Sequence, residues 1–390
     1  MTFFVLPTVS NLLDINLLEI QEGNQYVYIS ATLQKYLADV KKKIDKYPIE
    51  WDIYKKYTNP YEYIQTPMPN ENQSVSSVKP LSRSYFKMIE LLKIHNILNN
   101  YKHGSISTFH LAEGPGGFIE ALVHVRKNKL DKYHGITLVN DNVGIPGWNK
   151  SAHFLNKHSN VFIENGKDGT GNLYSIENLE YCIQKYGNSM DIITGAGGFD
   201  FSVDFNVQET TATRLLFSQI CFALSLQKLG GVFILKLFDC FNRSTIDLIY
   251  ILFMCYETCY ITKPLTSRVA NSERYIVCCN FKYSTTHNLL PIWKTMYSKF
   301  ESGVSVNGFL KCPIPYYFTN KLEEINIILG KTQIENILYT IRLITMEDKN
   351  ESKSKIHTIK RRNIDKCLTW CKKYNVPYYN NTENNIFTNH

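Results

Sequence analysis

The ten cysteines contain no Cys-x-x-Cys pair, so neither a zinc knuckle nor a dithiol redox motif is written in their spacing. Cys255/Cys259 and Cys367/Cys371 stand four apart, which suits one helix face better than a metal site; the expectation is buried free thiols, a reducing compartment and no metal. Long apolar runs are scarce too. The longest, 248–256, is about half of what a membrane-spanning helix needs. The N-terminus, MTFFVLPTVSNLLDINLLEI, has no basic lead and is interrupted by Asp14 and Glu19, unlike a secretory signal. These absences predict a soluble, intracellular, cytoplasmic protein with no membrane contact. Charge of one sign is not strongly in excess: 43 basic against 35 acidic residues give +8, a modest lean towards a polyanion that does not by itself specify nucleic acid.

What is present is a chain of 390 residues with 44% hydrophobic residues, enough for a real core and for one domain with large extensions or for two or three domains. Residues 1–80 are rich in Tyr, Lys and Asn, with a helical stretch over 36–57 and a Pro/Ser/Asn-rich loop, PMPNENQSVSSVKP, at 67–80. Residues 81–285 alternate. Short runs rich in Ile, Val, Phe and Tyr lie at 106–111, 135–139, 161–163, 191–194, 232–236, 259–262 and 274–279. Helix-period stretches lie at 117–126, 176–185, 208–229 and 243–256. This alternation predicts an α/β fold: a mostly parallel sheet of seven strands with helices on both faces. Residues 286–390 form a less regular C-terminal extension, with a basic helix over 353–373 and an Asn-rich end, YNNTENNIFTNH, expected to fray.

The strongest local signal is FHLAEGPGGFIEAL (109–122). An apolar strand ends in Glu113-Gly114-Pro115-Gly116-Gly117-Phe118 and a helix begins. Glycines there let backbone approach a ligand, and the helix N-terminus offers unpaired N–H groups. The pattern is neither G-x-G-x-x-G nor G-x-x-x-x-G-K-[ST], which weakens dinucleotide and nucleoside-triphosphate readings. GGVFILKLFD (230–239) ends a buried strand on Lys236, a costly place for an unused ammonium. SERYIV opens another strand with Glu273. In open α/β sheets, such strand ends border the ligand crevice. In the same class of position, DIITGAGGF (191–199) runs from a strand into a glycine turn that presents only Ala196.

Together, SRSYFK (82–87), EGPGGFIE (113–120), GAGGF (195–199), GGVFILKLFD (230–239) and KPLTSRVANSERYIV (263–277) resemble the motifs of the FtsJ-like (RrmJ-type) S-adenosylmethionine-dependent RNA 2′-O-methyltransferases. They are most similar to those of the mRNA cap-1 ribose methyltransferases and related enzymes of large DNA viruses. The resemblance covers about half the chain and implies a Rossmann-like methyltransferase sheet, S-adenosylmethionine as cofactor and capped RNA as partner. It also implies a Lys-Asp-Lys-Glu tetrad. Lys87, Lys236 and Glu273 match three members, and Ala196 stands where the family has aspartate. Asp191 matches a separate acid at the start of that strand, roughly 16 Å away. A substitution introduced to abolish turnover and a natural loss are both compatible with Ala196, and both imply an inactive or strongly impaired chain.

The resemblance places the methionine part of the cofactor against Gly114, Pro115, Gly116, Gly117 and Phe118. His110 replaces the family's acid in the first-strand motif, which leaves Glu113 as the candidate for the amino group. Asn140, Asp141 and Asn142 are candidates for the cofactor ribose, and Asp168 and Asn172 for the adenine end. An Asx turn capping the following helix accounts equally well for that last pair. Arg83, Lys263, Arg268 and Arg274 are the implied RNA contacts. Rival readings are an internal ribose of ribosomal or transfer RNA as substrate, a non-catalytic RNA-binding or stimulatory subunit, and a small-molecule enzyme. The lysine–glutamate set argues against the last.

Overall fold

A computed structural model describes residues 2–9, 11–69, 71–139, 147–198 and 206–379; the ribose candidates Asn140, Asp141 and Asn142 and the Asn-rich end from 380 lie outside them. In chain order the elements are β1 (Thr2–Val5), β2 (Leu18–Glu22), α1 (Ala31–Lys42), α2 (Pro48–Tyr57), α3 (Ser84–Ile94), β3 (Ser107–Leu111), α4 (Gly117–Arg126), β4 (Lys132–Ile136), α5 (Ala152–Lys157), β5 (Val161–Glu164), α6 (Ile176–Tyr186), β6 (Met190–Gly195), α7 (Gln208–Leu226), β7 (Gln227–Leu237), α8 (Arg243–Cys255), β8 (Tyr256–Lys263), β9 (Arg274–Phe281), α9 (Leu290–Glu301), β10 (Val306–Leu310), α10 (Tyr316–Ile344) and α11 (Lys349–Tyr374).

The main sheet has the order β1-β8-β9-β7-β6-β3-β4-β5. Strands β3 to β7 are mutually parallel, β9 runs antiparallel to β7 and β8, and β1 is antiparallel to β8. The seven strands expected from the sequence are β3 to β9. The count is corrected to eight by β1, whose four residues pair Thr2 with Lys263 and Val5 with Tyr260. So short a run next to the chain end carries no period of its own, and its partner lies some 260 positions away.

Adjacent residues of the central strands serve opposite faces, as a pleat requires. Ile193, Phe233 and Leu235 pack in one buried cluster with Phe217, Ile220 and Leu252 of α7 and α8. Ile192, Val232 and Ile234 pack in another with Phe86, Phe118 and Ile119 of α3 and α4. Both faces are covered, which is why these strands read as continuous apolar runs.

The chain passes from β3 outward to β4 and β5, then returns to the other side of β3 as β6. That reversal opens a crevice at the carboxyl ends of β3 and β6, the usual ligand site of such sheets. The register sets Leu111 beside Gly195 and Gly195 beside Leu235. The turns after β3, β6 and β7 therefore stand side by side.

The terminal extensions are built onto this sheet. The helix expected over 36–57 is two helices, α1 and α2, because Pro48 starts a new one at its first position. Strand β2 pairs with β10, joining the N-terminal extension to the C-terminal one. Helix α11 sets Trp370 against Phe86 of α3, with ring centroids 5.9 Å apart, and its Nε1 donates to the buried Glu90 carboxylate at 3.3 Å. The same carboxylate accepts from Leu265 N and Thr266 N, so α11 steadies the loop before β9. Trp370→Ala is expected to cost about 3–5 kcal/mol of stability, measured by urea unfolding at constant m-value. The cysteine expectation divides. Cys367 and Cys371 share α11, whereas Cys255 closes α8 and Cys259 lies in β8. All ten thiols are free. Among the described residues no cluster could hold a metal, and no helix is long and apolar enough to cross a membrane.

Candidate active site

The turn after β3 is shaped by Ala112 (φ 50°) and Gly116 (φ 101°). Gly116 is in the left-handed region, and a Cβ there would also meet the Trp148 ring at 3.2 Å. At Gly117 a Cβ would collide with the Ser82 and Ser84 hydroxyls; glycine thus lets the 82–84 segment sit on the first turn of α4. Glu113 is buried. Its Oε1 accepts from Phe118 N at 2.6 Å, while Oε2 is sealed from solvent with no hydrogen-bond partner. Burial pushes this carboxyl up to about 8, against the opposing pull of the Phe118 and Ile119 N–H groups and of Lys236.

Next to it, Ala196 N donates to Leu111 O at 3.1 Å and Gly197 N to Gln219 Oε1 at 3.1 Å. A Cβ on Gly198 would lie 2.6 Å from Lys236 Nζ. Gly198, two residues after Ala196, is what admits the ammonium to this turn. Lys236 is the penultimate residue of β7, opposite Tyr275. Its Nζ lies over the Phe238 ring at 5.5 Å and makes no hydrogen bond among the described residues. Burial lowers it to about 8, helped by Lys87 and resisted by Glu273 and Glu113.

Lys87 reaches in from the first turn of α3 and straddles the Glu273 carboxylate, at 2.6 Å to Oε1 and 2.8 Å to Oε2. Tyr275 donates to Oε1 at 2.8 Å. Burial alone would raise Glu273; Lys87 and Lys236 outweigh it and hold the carboxyl at about 2. Ala196, Lys236, Glu273 and Glu113 line one cleft of about 1100 Å³, with Lys87 bonded to Glu273 behind the wall. The three ionisable tetrad positions read from the sequence converge, and the fourth wall position is a methyl group.

The cleft wall comes from two parts of the chain. Gly114, Pro115, Thr137, Leu138 and Asn172 come from the loops after β3, β4 and β5, called the inner lobe, and Trp51, Asn59, Arg83 and Arg268 from α2 and the segments before α3 and β9, called the outer lobe. Gly116, Gly117 and Phe118, expected against the cofactor, are not in the lining; Phe118 is buried in the core cluster with Phe86 and Ile119. Asn172 is in the wall, its Oδ1 accepting from Tyr174 N at 2.9 Å. Asp168 is not. Its carboxylate accepts from Thr170 N and from Asn178 Nδ2 at 2.8 and 2.9 Å, so it shapes the loop, while Ser175 caps α6.

Two of the four implied RNA contacts are placed elsewhere than expected. Arg274 is 2% exposed and donates to Asn326 Oδ1 at 3.0 Å and to Asp239 Oδ1 at 3.4 Å, facing α10. Lys263 donates to Asn271 O, Asn271 Oδ1 and Glu273 O at 2.7, 3.0 and 2.9 Å; it braces the segment that carries Glu273. Arg83 and Arg268 do face the cleft. Both are bound to Glu62, a residue that sequence reasoning missed because it lies in a polar stretch without periodicity.

The doubly wound sheet, with its crevice at the reversal and a lysine–glutamate set at the strand ends, defines a Rossmann-like α/β class. Within that class, residues 80–281 match the model of the FtsJ-like methyltransferase family, and the chain belongs to it. Similar proteins include "Cap-specific mRNA (nucleoside-2'-O-)-methyltransferase 1" of Trypanosoma brucei brucei, 34% identical over 181 residues, 46% of this chain and 48% of that one. The enzyme of the same name from Mus musculus is 35% identical over 193 residues, 46% and 22%. "Cap-specific mRNA (nucleoside-2'-O-)-methyltransferase 2" of Drosophila melanogaster is 26% identical over 278 residues, 66% and 37%. The chain spans less than half the length of these relatives. S-adenosylmethionine is the methyl donor of the family, and the inner lobe suits it: the unmet Glu113 Oε2 is a fitting partner for an ammonium group.

Proposed function

We propose that this chain is an RNA ribose 2′-O-methyltransferase by construction, directed to the first transcribed nucleotide of capped mRNA, with its turnover suppressed by Ala196. The observation that carries this reading is the convergence of Lys87, Lys236 and Glu273 on a cleft that is also lined by the glycine turn after β3 and by Arg83 and Arg268. S-adenosylmethionine supplies an electrophilic methyl on a sulfonium that departs as a neutral thioether. The protein's task is to align the ribose oxygen and remove its proton. Lys236, lowered to about 8 by burial and by Lys87, is the base for that proton. Lys87 stays tied to Glu273 and keeps a positive charge beside it. The similarity to cap-specific enzymes supports capped mRNA as the substrate.

Glu113 is the residue for the cofactor's amino group. With its carboxyl near 8, binding a cation requires loss of the Glu113 proton. S-adenosylmethionine affinity should therefore rise from pH 6 towards 7.5, and Glu113→Gln should bind more weakly with little of that slope, as read by calorimetry. The function is tested by incubating the Ala196→Asp chain with methyl-labelled S-adenosylmethionine and short RNAs with and without a cap. Label on the 2′-oxygen next to the cap is expected. Label on internal riboses of uncapped RNA favours a ribosomal or transfer RNA substrate. Absence of label, with RNA still bound, leaves the second reading, a non-catalytic RNA-binding subunit, which the methyl group at position 196 favours.

A further inference from the structure

Glu62 lies outside the family match, in the turn after α2, yet it ties together two cleft residues that are 185 positions apart. Arg83 donates through Nη1 and Nη2 to its two oxygens at 2.7 and 3.2 Å. Arg268 donates through Nε and Nη2 at 3.1 and 2.7 Å. Thr66 Oγ1 and Asn59 Nδ2 complete the shell at 3.1 and 2.7 Å. Glu62 is 1% exposed. Burial would raise its carboxyl, but Arg268 and Arg83 hold it well below the usual range.

One carboxylate between two guanidiniums leaves a net positive charge. Two of the five donors of each arginine are taken by Glu62, and the remaining N–H groups have no other hydrogen-bond partner among the described residues. The two arginine side chains are 31% and 32% exposed, and both line the cleft's outer lobe. Asp52 of the same wall also acts on Arg268, but its charge is balanced by its partner Lys55. Asn59 is 2% exposed and lines the same lobe. Its Oδ1 has no hydrogen-bond donor.

We infer that Glu62, Arg83 and Arg268 form a built anion site that grips one backbone phosphate of the RNA, with the Asn59 carbonyl meeting a neighbouring ribose hydroxyl. The inference rests on the RNA-directed reading above and deepens it. A lone surface arginine would sample many rotamers. Here the buried carboxylate fixes both forks, so a phosphate meets donors already aimed. Arginine rather than lysine is required, because only the planar fork can hold Glu62 on one edge and an anion on another.

The test is fluorescence anisotropy of the full chain with a labelled ten-nucleotide single-stranded RNA across a salt series. Arg83→Lys and Arg268→Lys keep the charge and an ion pair to Glu62. Each is expected to weaken binding about tenfold with the salt slope little changed. Arg268→Ala should also lower the slope by about one. The double lysine variant should lose less than the product of the two single losses, because one Glu62 orients both forks. DNA of the same sequence should bind more weakly than RNA, and Asn59→Ala should narrow that gap. Melting temperatures within a few degrees of the parent keep the comparison about binding. Lysine variants that bind RNA as the parent does overturn the site while leaving the RNA reading intact. A parent chain that binds no RNA overturns both.

Discussion

Ala196→Asp is expected to raise methyl transfer to capped RNA by about three to four orders of magnitude, the scale on which removing an orienting carboxylate disables an interdependent catalytic set. At about 1.4 kcal/mol per tenfold, that is roughly 4–6 kcal/mol of barrier. The geometry says where the energy arises. Lys236 Nζ approaches the turn closely enough that a Cβ on Gly198 would sit 2.6 Å away, and no described residue accepts a hydrogen bond from it. An aspartate two positions earlier would supply the missing acceptor and fix the ammonium's direction. Among the described residues the carboxylates acting on Lys236 are Glu273 and Glu113; the first is claimed by Lys87 and Tyr275, the second sits in the cofactor lobe.

The same substitution has a pH signature. Lys236 stands near 8 now, and a carboxylate beside it favours the charged form, so the new side chain must move it upward. The base acts when neutral. The rate of the Ala196→Asp chain should climb with pH and reach half its plateau above 8. A rate that is flat from pH 6.5 to 9.5 would remove Lys236 from the role of base. Single-turnover quenching over that range reads this directly.

The sheet was legible because its strands are covered on both faces and so appear as apolar runs, punctuated by glycine turns that sit where they were expected. Elements held by distant partners were not. Strand β2 has its partner β10 nearly three hundred residues on, and neither has a period of its own. Helix α10 was obscured differently. Leu322, Ile325, Leu329, Ile334 and Ile337 carry a helical stripe, but Asn326 and Gln333 fall within it and are buried. They are there to bond, Asn326 to Cys240 O at 2.7 Å and Gln333 to Ala270 O at 3.0 Å. Polar residues that satisfy a neighbour's backbone break a hydrophobic pattern without breaking the helix.

The site was legible for a related reason: ionisable residues at the ends of apolar runs stand out. Their direction was not. Glu273 and Arg274 are adjacent, and successive residues entering a strand point to opposite sides. One faces the cleft and the other is driven under α10, so a basic residue in the right motif became an internal ion pair with Asp239. Lys263 shows the same limit. Its charge is spent on carbonyls of the loop leading to Glu273, a role no local pattern announces.

Lys236→Met carries two large effects of opposite sign. In the Ala196→Asp background it should abolish methyl transfer, by about four orders of magnitude, because the base is gone and the other tetrad members cannot act alone. In the parent background it should stabilise the fold by about 1–3 kcal/mol at neutral pH, since a buried ammonium with no hydrogen-bond acceptor among the described residues is replaced by an apolar chain of similar length. Linkage fixes how that gain varies. The folded-state value lies near 8, below the ordinary lysine value of about 10.4 in the unfolded chain, so the unfolded state binds more protons between them. The destabilisation is complete below about 8 and fades as pH rises towards about 10.4. The melting-temperature gain of Lys236→Met should therefore be largest at pH 7 and shrink by pH 10. A variant that loses activity and stability together would mean that Lys236 is held by partners and serves the fold. Loss of activity with a gain in stability is the signature of a lysine kept in an unfavourable place for its chemistry.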